Sequence, residues 1–260
     1  TTELNDISDT KINEAIILAG GLGTRLRDAV PDIPKCMAPV AGRPFLFYVI
    51  NYLRSLGIEK FIFSLGYKHE VIEQYLHDQF STLNYECIIE EGPLGTGGAI
   101  KLACSKINEE NILVANGDTL FKINIENLAA VHYDNAAEVT IALKPMMEFN
   151  RYGVVETNES NLITKFWEKQ FCKQGNINGG IYLLNVKSFM ENDWPSIFSF
   201  EKDFLETNRF RLFGSVQDAY FIDIGVPEDY NRVQAELSIP PLGLKNIDKS
   251  WTLFLDRDGV

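Results

Sequence analysis

Apolar residues fall in short runs along the first half of this 260-residue chain, and between the runs they recur every three or four positions. Glu14 to Ala19 (EAIILA) is a run without alternation that stops at glycine, the mark of a strand buried on both faces of a parallel sheet. From Pro44 to Leu56 the apolar positions Phe45, Leu46, Val49, Ile50 and Leu53 have helical spacing, with Pro44 suited to the first turn and Gly57 to the stop. Lys60 to Leu65 is a second strand, and Val71, Ile72 and Tyr75 lie on a second helix. Tyr85 to Glu90 is a third strand, a third helix starts near Gly97 or Gly98, and Asn111 to Ala115 is a fourth strand running into Asn116-Gly117-Asp118. Such alternation predicts a doubly wound, Rossmann-like α/β layer with right-handed crossovers. Ligands of such layers bind beyond the carboxyl ends of the strands, so Gly20, Glu91 and Asp118 are expected along one cleft.

After Asp134 the pattern changes. Val139–Leu143, Gly153–Glu156, Leu162–Trp167 and Ile177–Leu184 are strand-like with short turns, which predicts a mixed or antiparallel extension of the same sheet. Tyr220–Ile224 is a further strand, and Pro227 opens a helix to about Leu237. The expected layout is a polar extension over 1–13, a main domain over 14–238, a linker over 239–250 around Pro240-Pro241, and a separate segment over 251–260.

Charge and cysteine usage narrow the function. A formal net charge of −12 disfavours sequence-independent nucleic-acid binding, which depends on neutralising phosphates. A few cations in a cleft still suit a small phosphorylated substrate, because screening acts over about 8 Å. Four scattered cysteines form no CxxC pair, the acidic N-terminus lacks a signal-peptide pattern, and no apolar run nears the roughly 20 residues of a bilayer span. These features predict a cytoplasmic protein acting on small molecules, without nucleic-acid or membrane partners; they leave the oligomeric state open.

The candidate chemistry begins at Ala19-Gly20-Gly21-Leu22-Gly23-Thr24-Arg25-Leu26, followed by Pro34-Lys35. Three glycines after a buried strand let backbone N–H groups approach phosphate oxygens, and Arg25 and Lys35 supply the charge that a triphosphate needs. The plainer alternative is a strand-to-helix turn with two surface cations. A P-loop is ruled out by the absence of GxxxxGK[ST], and a dinucleotide fingerprint by the G-G-x-G spacing. Asp118 and Asp223 each follow or end a strand; taken alone, each is more often a turn residue than a metal ligand. Glu168-Lys169 alone reads as a solvated pair. His69, His77 and His132 lack ligand-like spacing and read as helix or surface residues.

The glycine-rich stretch, Gly95-Thr96-Gly97-Gly98-Ala99, Asn116-Gly117-Asp118, Phe166-Trp167-Glu168-Lys169, Asn178-Gly179-Gly180-Ile181-Tyr182 and Asp223-Ile224-Gly225-Val226-Pro227, in that order, resemble the motifs of the sugar-phosphate nucleotidyltransferases. The resemblance spans about residues 14–238. It implies transfer of a nucleoside monophosphate from an NTP to a sugar 1-phosphate with release of pyrophosphate, and Mg²⁺ held by Asp118 and Asp223. It implies catalytic roles for Arg25, Lys35 and Asp118. Leu18, Ala19, Gly20, Gly21, Gly23, Thr24, Arg25, Glu90, Gly95, Thr96, Gly97 and Gly117 would bind the nucleotide. Gly153, Glu168, Lys169, Asn178 and Gly179 would bind the sugar phosphate. Gln170 stands where the family often has proline. Glu91-Gly92-Pro93-Leu94 and Phe198-Ser199-Phe200-Glu201-Lys202-Asp203 resemble the branch that uses GTP and a heptose 1-phosphate; mannose with GTP, or glucose with dTTP or UTP, are the alternatives. A regulatory domain without turnover is an alternative of another class. Finally, Trp251–Leu255 followed by Asp256-Arg257-Asp258-Gly259 resembles the opening of the haloacid-dehalogenase-type phosphatases, here as a truncated start without activity of its own.

Overall fold

In the computed structural model, residues 11–21, 32–207 and 209–238 are described. The expectations for Gly23, Thr24 and Arg25, for most of the N-terminal extension and for the 239–260 segments lie outside them.

The first half follows the alternation read from the sequence. It comprises β1 (Glu14–Ala19), a small hairpin of β2 (Pro39–Val40) and β3 (Arg43–Pro44), α1 (Phe45–Ser55), β4 (Lys60–Leu65), α2 (His69–Gln79), β5 (Asn84–Ile89), α3 (Gly95–Ala103) and β6 (Asn111–Asn116). Pro44 ends β3 and caps α1 rather than entering its first turn, because it still pairs with Pro39. Gly57, at φ +94°, turns the chain out of the helix as expected. Helix α3 begins two residues before the expected start, at Gly95.

The second half comprises β7 (Thr119–Phe121), α4 (Ile125–Asp134), β8 (Val139–Phe149), β9 (Val155–Thr157), β10 (Ile163–Phe166), β11 (Cys172–Asn185), α5 (Val186–Met190), β12 (Leu212–Val216), β13 (Phe221–Asp223) and α6 (Pro227–Glu236). The seven-stranded sheet has the order β12-β8-β11-β6-β1-β4-β5. Strands β6, β1, β4 and β5 are parallel, and β11 inserts antiparallel between β6 and β8. Strands β9 with β10, and β7 with β13, form separate two-stranded ribbons, so the stretches around 155 and 165 do not extend the main sheet as expected, while the strand expected over Tyr220–Ile224 is present as β13. The chain runs outward from β1 through β4 to β5, then returns to place β6 on the other side of β1. That reversal opens a crevice at the carboxyl ends of β1 and β6, where ligands of such sheets bind.

The unalternating strands have a physical cause. Ala15 and Ile17 face one apolar cluster with Phe61, Phe63 and α1, while Ile16 faces a second with Ile62, Val114 and Tyr182. Both sheet faces are covered, so every position of β1 and β4 is selected for burial. Helix α4, which the sequence reading did not assign, buries Ile125, Leu128, Ala129 and His132 on one face, and the Asn124 side chain caps it by accepting from Asn127 N at 2.7 Å. Its signal was present: an Asn cap before apolar positions at helical spacing.

His132 is 2% exposed. Its Nδ1 meets Thr140 Oγ1 at 2.9 Å and its Nε2 meets Asn111 Oδ1 at 3.0 Å, joining α4 to β8 and β6. Burial lowers its pKa from 6.5 to about 4. The folded chain therefore requires the neutral ring. This contribution is fully present above pH 6.5 and is lost as pH falls toward 4, removing about 3 kcal/mol. In urea unfolding at pH 7 and pH 4.5, His132→Gln is expected to lose less stability on acidification than the wild type. Parallel losses would mean that other groups drive the acid sensitivity.

Candidate functional site

The crevice is built from strand ends that approach one another more closely than side chains allow. A Cβ on Gly20, just past β1, would lie 2.6 Å from Glu90 Oε1, and a Cβ on Gly66, just past β4, would lie 2.9 Å from the Gly20 carbonyl oxygen. Gly21 is open, with nothing within 4 Å of its Cβ direction. Glu90, beyond β5, accepts from Ser64 Oγ and from the Leu94 backbone N–H, both at 3.3 Å. Burial raises its carboxyl above the ordinary range. Leu18, Gly20, Gly21, Glu90, Gly95 and Thr96 line one cavity of about 540 Å³, together with Asn116 and Asp118. Of the neighbours Glu90 and Glu91, it is Glu90 that lies on this wall, beside Asp118 and Glu201.

Three nucleotide-side candidates sit behind the wall rather than on it. A Cβ on Gly97 would strike the Phe198 ring, with Cζ at 2.7 Å, and the Gly97 N–H donates to the Phe198 carbonyl at 3.0 Å. Gly97 is therefore a packing glycine that lets α3 seat on the 196–198 segment. Gly117 donates to the Leu18 carbonyl at 2.9 Å, continuing the β1–β6 contact, and Ala19 is buried beside it.

A second cavity of about 430 Å³ adjoins the first. Gly153, Lys169, Asn178 and Gly179 line it; Glu168 is exposed and does not. Asn178 is committed internally: its Nδ2 donates to Tyr182 OH at 2.9 Å and its Oδ1 accepts from Gly180 N at 2.9 Å. Gly179 is a close-approach position, since a Cβ there would lie 2.8 Å from the Ala142 carbonyl oxygen. Asn116 and Glu201 line both cavities. Neither was a candidate from the sequence, although both lie in motifs that carried the family resemblance.

Where the cavities meet, the β7–β13 ribbon pairs Thr119 with Asp223, and Ile224 N donates to the Asp118 carbonyl at 3.1 Å. Two aspartates 105 positions apart are thereby fixed side by side. Lys35 Nζ donates to Asp118 Oδ2 and, at 3.4 Å, to Asp223 Oδ1. Its side chain is 14% exposed, against 31% for Asp118 and 17% for Asp223. The Pro34-Lys35 motif explains the aim: a short 3₁₀ turn over Lys35–Met37 buries Cys36 and Met37, leaving Lys35 to point into the site. Gly225 leaves room for it, because a Cβ there would lie 2.7 Å from Lys35 Cε. The Gly225 N–H donates to Asp223 Oδ1 at 2.7 Å and Tyr152 OH to Asp223 Oδ2 at 3.5 Å. The Cys36 thiol is pushed up to about 12 by burial and by the Asp118 charge, so it is not a nucleophile.

Among the described residues no group of three or more His, Cys, Asp and Glu side chains could hold a metal. A pair of carboxylates is nonetheless the donor set suited to magnesium, which binds through one or two carboxylates and completes its shell with water and substrate phosphates. The pair does not suit a metal that needs a full protein cage. No helix among the described residues is long and apolar enough to cross a membrane.

The model of the nucleotidyl transferase family matches residues 14–238. The chain is 49% identical over 226 residues to a D-glycero-alpha-D-manno-heptose 1-phosphate guanylyltransferase of Aneurinibacillus thermoaerophilus, covering 86% of this chain and 98% of that protein. A protein of the same description from Campylobacter jejuni is 46% identical, with 84% and 96% covered. Among solved structures, HddC from Yersinia pseudotuberculosis superposes with a TM-score of 0.80 at 36% identity over 86% of this chain and 99% of that one. The same protein complexed with GMP-PN gives a TM-score of 0.79.

If the Lys35 ammonium holds the two carboxylates as a unit, its loss leaves them facing one another uncompensated. Lys35→Met is expected to cost about 1–3 kcal/mol of stability, and Lys35→Met combined with Asp223→Asn less than the sum of the two single changes. A double-mutant cycle by urea denaturation checks this; additive losses would show that the three groups are not coupled.

Proposed function

The chain belongs to the nucleotidyl transferase family, and from that premise we propose that it transfers GMP from GTP to D-glycero-α-D-manno-heptose 1-phosphate, releasing pyrophosphate. The observation that carries the reading is the arrangement of two adjoining cavities with Lys35, Asp118 and Asp223 at their junction, in a chain similar along its main domain to heptose 1-phosphate guanylyltransferases. The triphosphate takes the glycine-lined cavity and the sugar phosphate the other.

An oxygen of the sugar phosphate attacks the α-phosphorus of GTP. The bond from the α-phosphorus to its bridging oxygen breaks, and pyrophosphate leaves with that electron pair. The attacking group is already an anion near neutral pH, since the second pKa of a phosphate monoester is about 6. No general base is needed. Among the described residues neither cavity wall carries a histidine, and the cysteine nearest the junction is held as a thiol. The work left to the protein is positioning and charge compensation between two anions that repel. Lys169 binds the sugar phosphate, Lys35 offsets charge at the transferring phosphorus, and Arg25 adds to it from the glycine-rich stretch. Asp118 and Asp223 would hold magnesium, which would supply further compensation of phosphate charge there. Glu90 fits the base: a carboxylate suits the paired N1–H and 2-amino donors that guanine presents and other bases do not. The substrates are charged cytoplasmic metabolites, and there we place the reaction.

Pyrophosphate release should be measured for four NTPs against several sugar 1-phosphates. GTP with the heptose 1-phosphate is the expected best pair, with mannose 1-phosphate slower by about 10- to 200-fold if discrimination at the extra carbon is steric. A clear preference for UTP or dTTP overturns the GTP assignment. Glu90→Gln is expected to erode the preference for GTP over the other NTPs. EDTA should abolish turnover, and Asp118→Asn should lower kcat by at least ~100-fold with the fold intact; near-normal activity in either experiment removes the metal from the mechanism.

A further inference from the structure

The segment after α5 is held by aromatic packing. Trp194 stacks on Phe198 with ring centroids 5.0 Å apart, and Phe189 meets Trp194, Phe200 and Phe204 within 6.0 Å. Phe200 and Phe204 are both buried, and between them the chain makes a single π-helical turn over Phe200–Phe204. Such turns are rare and are frequent at functional sites. The N-terminal end of this one is tied reciprocally at Ser199. The Lys202 N–H donates to Ser199 Oγ at 3.1 Å, and the Ser199 N–H donates to Asp203 Oδ2 at 2.7 Å. With both phenylalanines turned inward, Glu201 is presented to the junction of the two cavities, on the wall of each.

One oxygen of Glu201 is occupied. Its Oε2 accepts from Thr96 Oγ1 at 2.7 Å and from Ser199 Oγ at 3.2 Å, while Thr96 Oγ1 itself accepts from the Phe200 N–H at 2.9 Å. Among the described residues, Oε1 takes no hydrogen bond. The carboxylate is therefore fixed in direction with one acceptor unused. Asn178, the amide expected to meet the sugar, is by contrast already engaged with Tyr182 and Gly180.

Resting on the reading of this cavity as the sugar site, we propose that Glu201 determines sugar specificity by accepting a hydroxyl hydrogen of the sugar through Oε1. Thr96, on the first turn of α3 and on the nucleotide wall, is its positioning residue. The substrate class that follows is a neutral, fully hydroxylated sugar 1-phosphate. A sugar lacking that hydroxyl leaves the carboxylate unpaired, and one carrying a carboxylate there meets like charge.

Steady-state kinetics of Glu201→Gln test this, because the amide can keep its oxygen toward Thr96 and Ser199 while presenting a donor where the acceptor was. With GTP and the heptose 1-phosphate, the KM for the sugar is expected to rise roughly 10- to 100-fold, the range for a hydrogen bond to a charged group. The KM for GTP and the melting temperature should stay near wild type. One monodeoxy sugar 1-phosphate should lose as much with the wild type as the parent sugar loses with Glu201→Gln, and combining the two changes should add little. An unchanged sugar KM, a parallel rise in both KM values, or fully additive losses overturn the proposal. If Glu201→Gln does not fold, Thr96→Val carries the test on the sugar KM alone, because Thr96 also lines the nucleotide cavity: it frees the carboxylate without removing it, and an unchanged sugar KM overturns the proposal. A wild-type enzyme that makes no pyrophosphate from GTP and any sugar 1-phosphate overturns the assigned activity, and the proposal with it. Normal wild-type turnover with an indifferent Glu201→Gln overturns the proposal alone.

Discussion

Everything near the site depends on holding two carboxylates beside one ammonium at the end of a parallel sheet. Asp118 comes from the middle of the domain sequence and Asp223 from near its end, and the three-residue pairing of β7 with β13 registers them. That ribbon stays in place because Phe121 and Ile222 are fully buried within the larger apolar cluster. Lys35 reaches the pair only because Cys36 and Met37 anchor its turn and residue 225 has no side chain. Packing, backbone pairing and one glycine thus set an electrostatic arrangement that no local segment could set alone. Two unit charges 4 Å apart interact by about 4 kcal/mol at an effective dielectric of 20, several times more than in bulk water. A part-buried site therefore makes three charges count for more than the net −12 of the whole chain.

The parallel half of the fold was legible in the sequence because burial on both faces leaves an unmistakable trace. The runs Glu14–Ala19 and Lys60–Leu65 are bounded in the structure as they are in the sequence. The second half was less legible because its elements pair over long distances. Strand β12 pairs with β8, more than 70 positions earlier in the chain, and includes Gly214, which weakens any strand pattern. Strands β9 and β10 look like members of the main sheet until their partners are known. Periodicity reports which face is buried, not against what.

The candidate site was legible in a different way. The glycine, Asn-Gly-Asp and Asp-x-Gly motifs identified the segments, and the structure brings those it describes around two cavities. Which atoms of a motif face the ligand depends on packing. Gly95 and Thr96 are on the wall while Gly97, one residue on, is pressed against Phe198. Lys169 is on the wall while Glu168 turns out. Side chains alternate across strands and rotate along helices, so adjacent members of one motif take different jobs. Glu201 escaped notice for the same reason in reverse: only the burial of Phe200 and Phe204 on either side of it reveals where it points.

The inserted antiparallel strand accounts for there being two cavities. A sheet of β6, β1, β4 and β5 alone would offer one crevice, at the reversal between β1 and β6. Adding β11 beside β6 places Asn178, Gly179 and Gly180 next to Asn116 and carries the sheet on to β8. The kink between Asn178 and Tyr182, where Gly180 adopts φ +72°, is what lets β11 pair with both neighbours while its glycines pass close to the site. A side chain at Gly180 would meet Asn116 Nδ2 at 2.6 Å, and among the described residues Asn116 is one of two that border both cavities. The described part of the dividing wall between the cavities is therefore thin, one amide and one carboxylate wide. Asp118, lining the first cavity, and Asp223, lining the second, meet through Lys35 at its edge, and a thin wall is what the proposed reaction, joining two phosphates across it, requires.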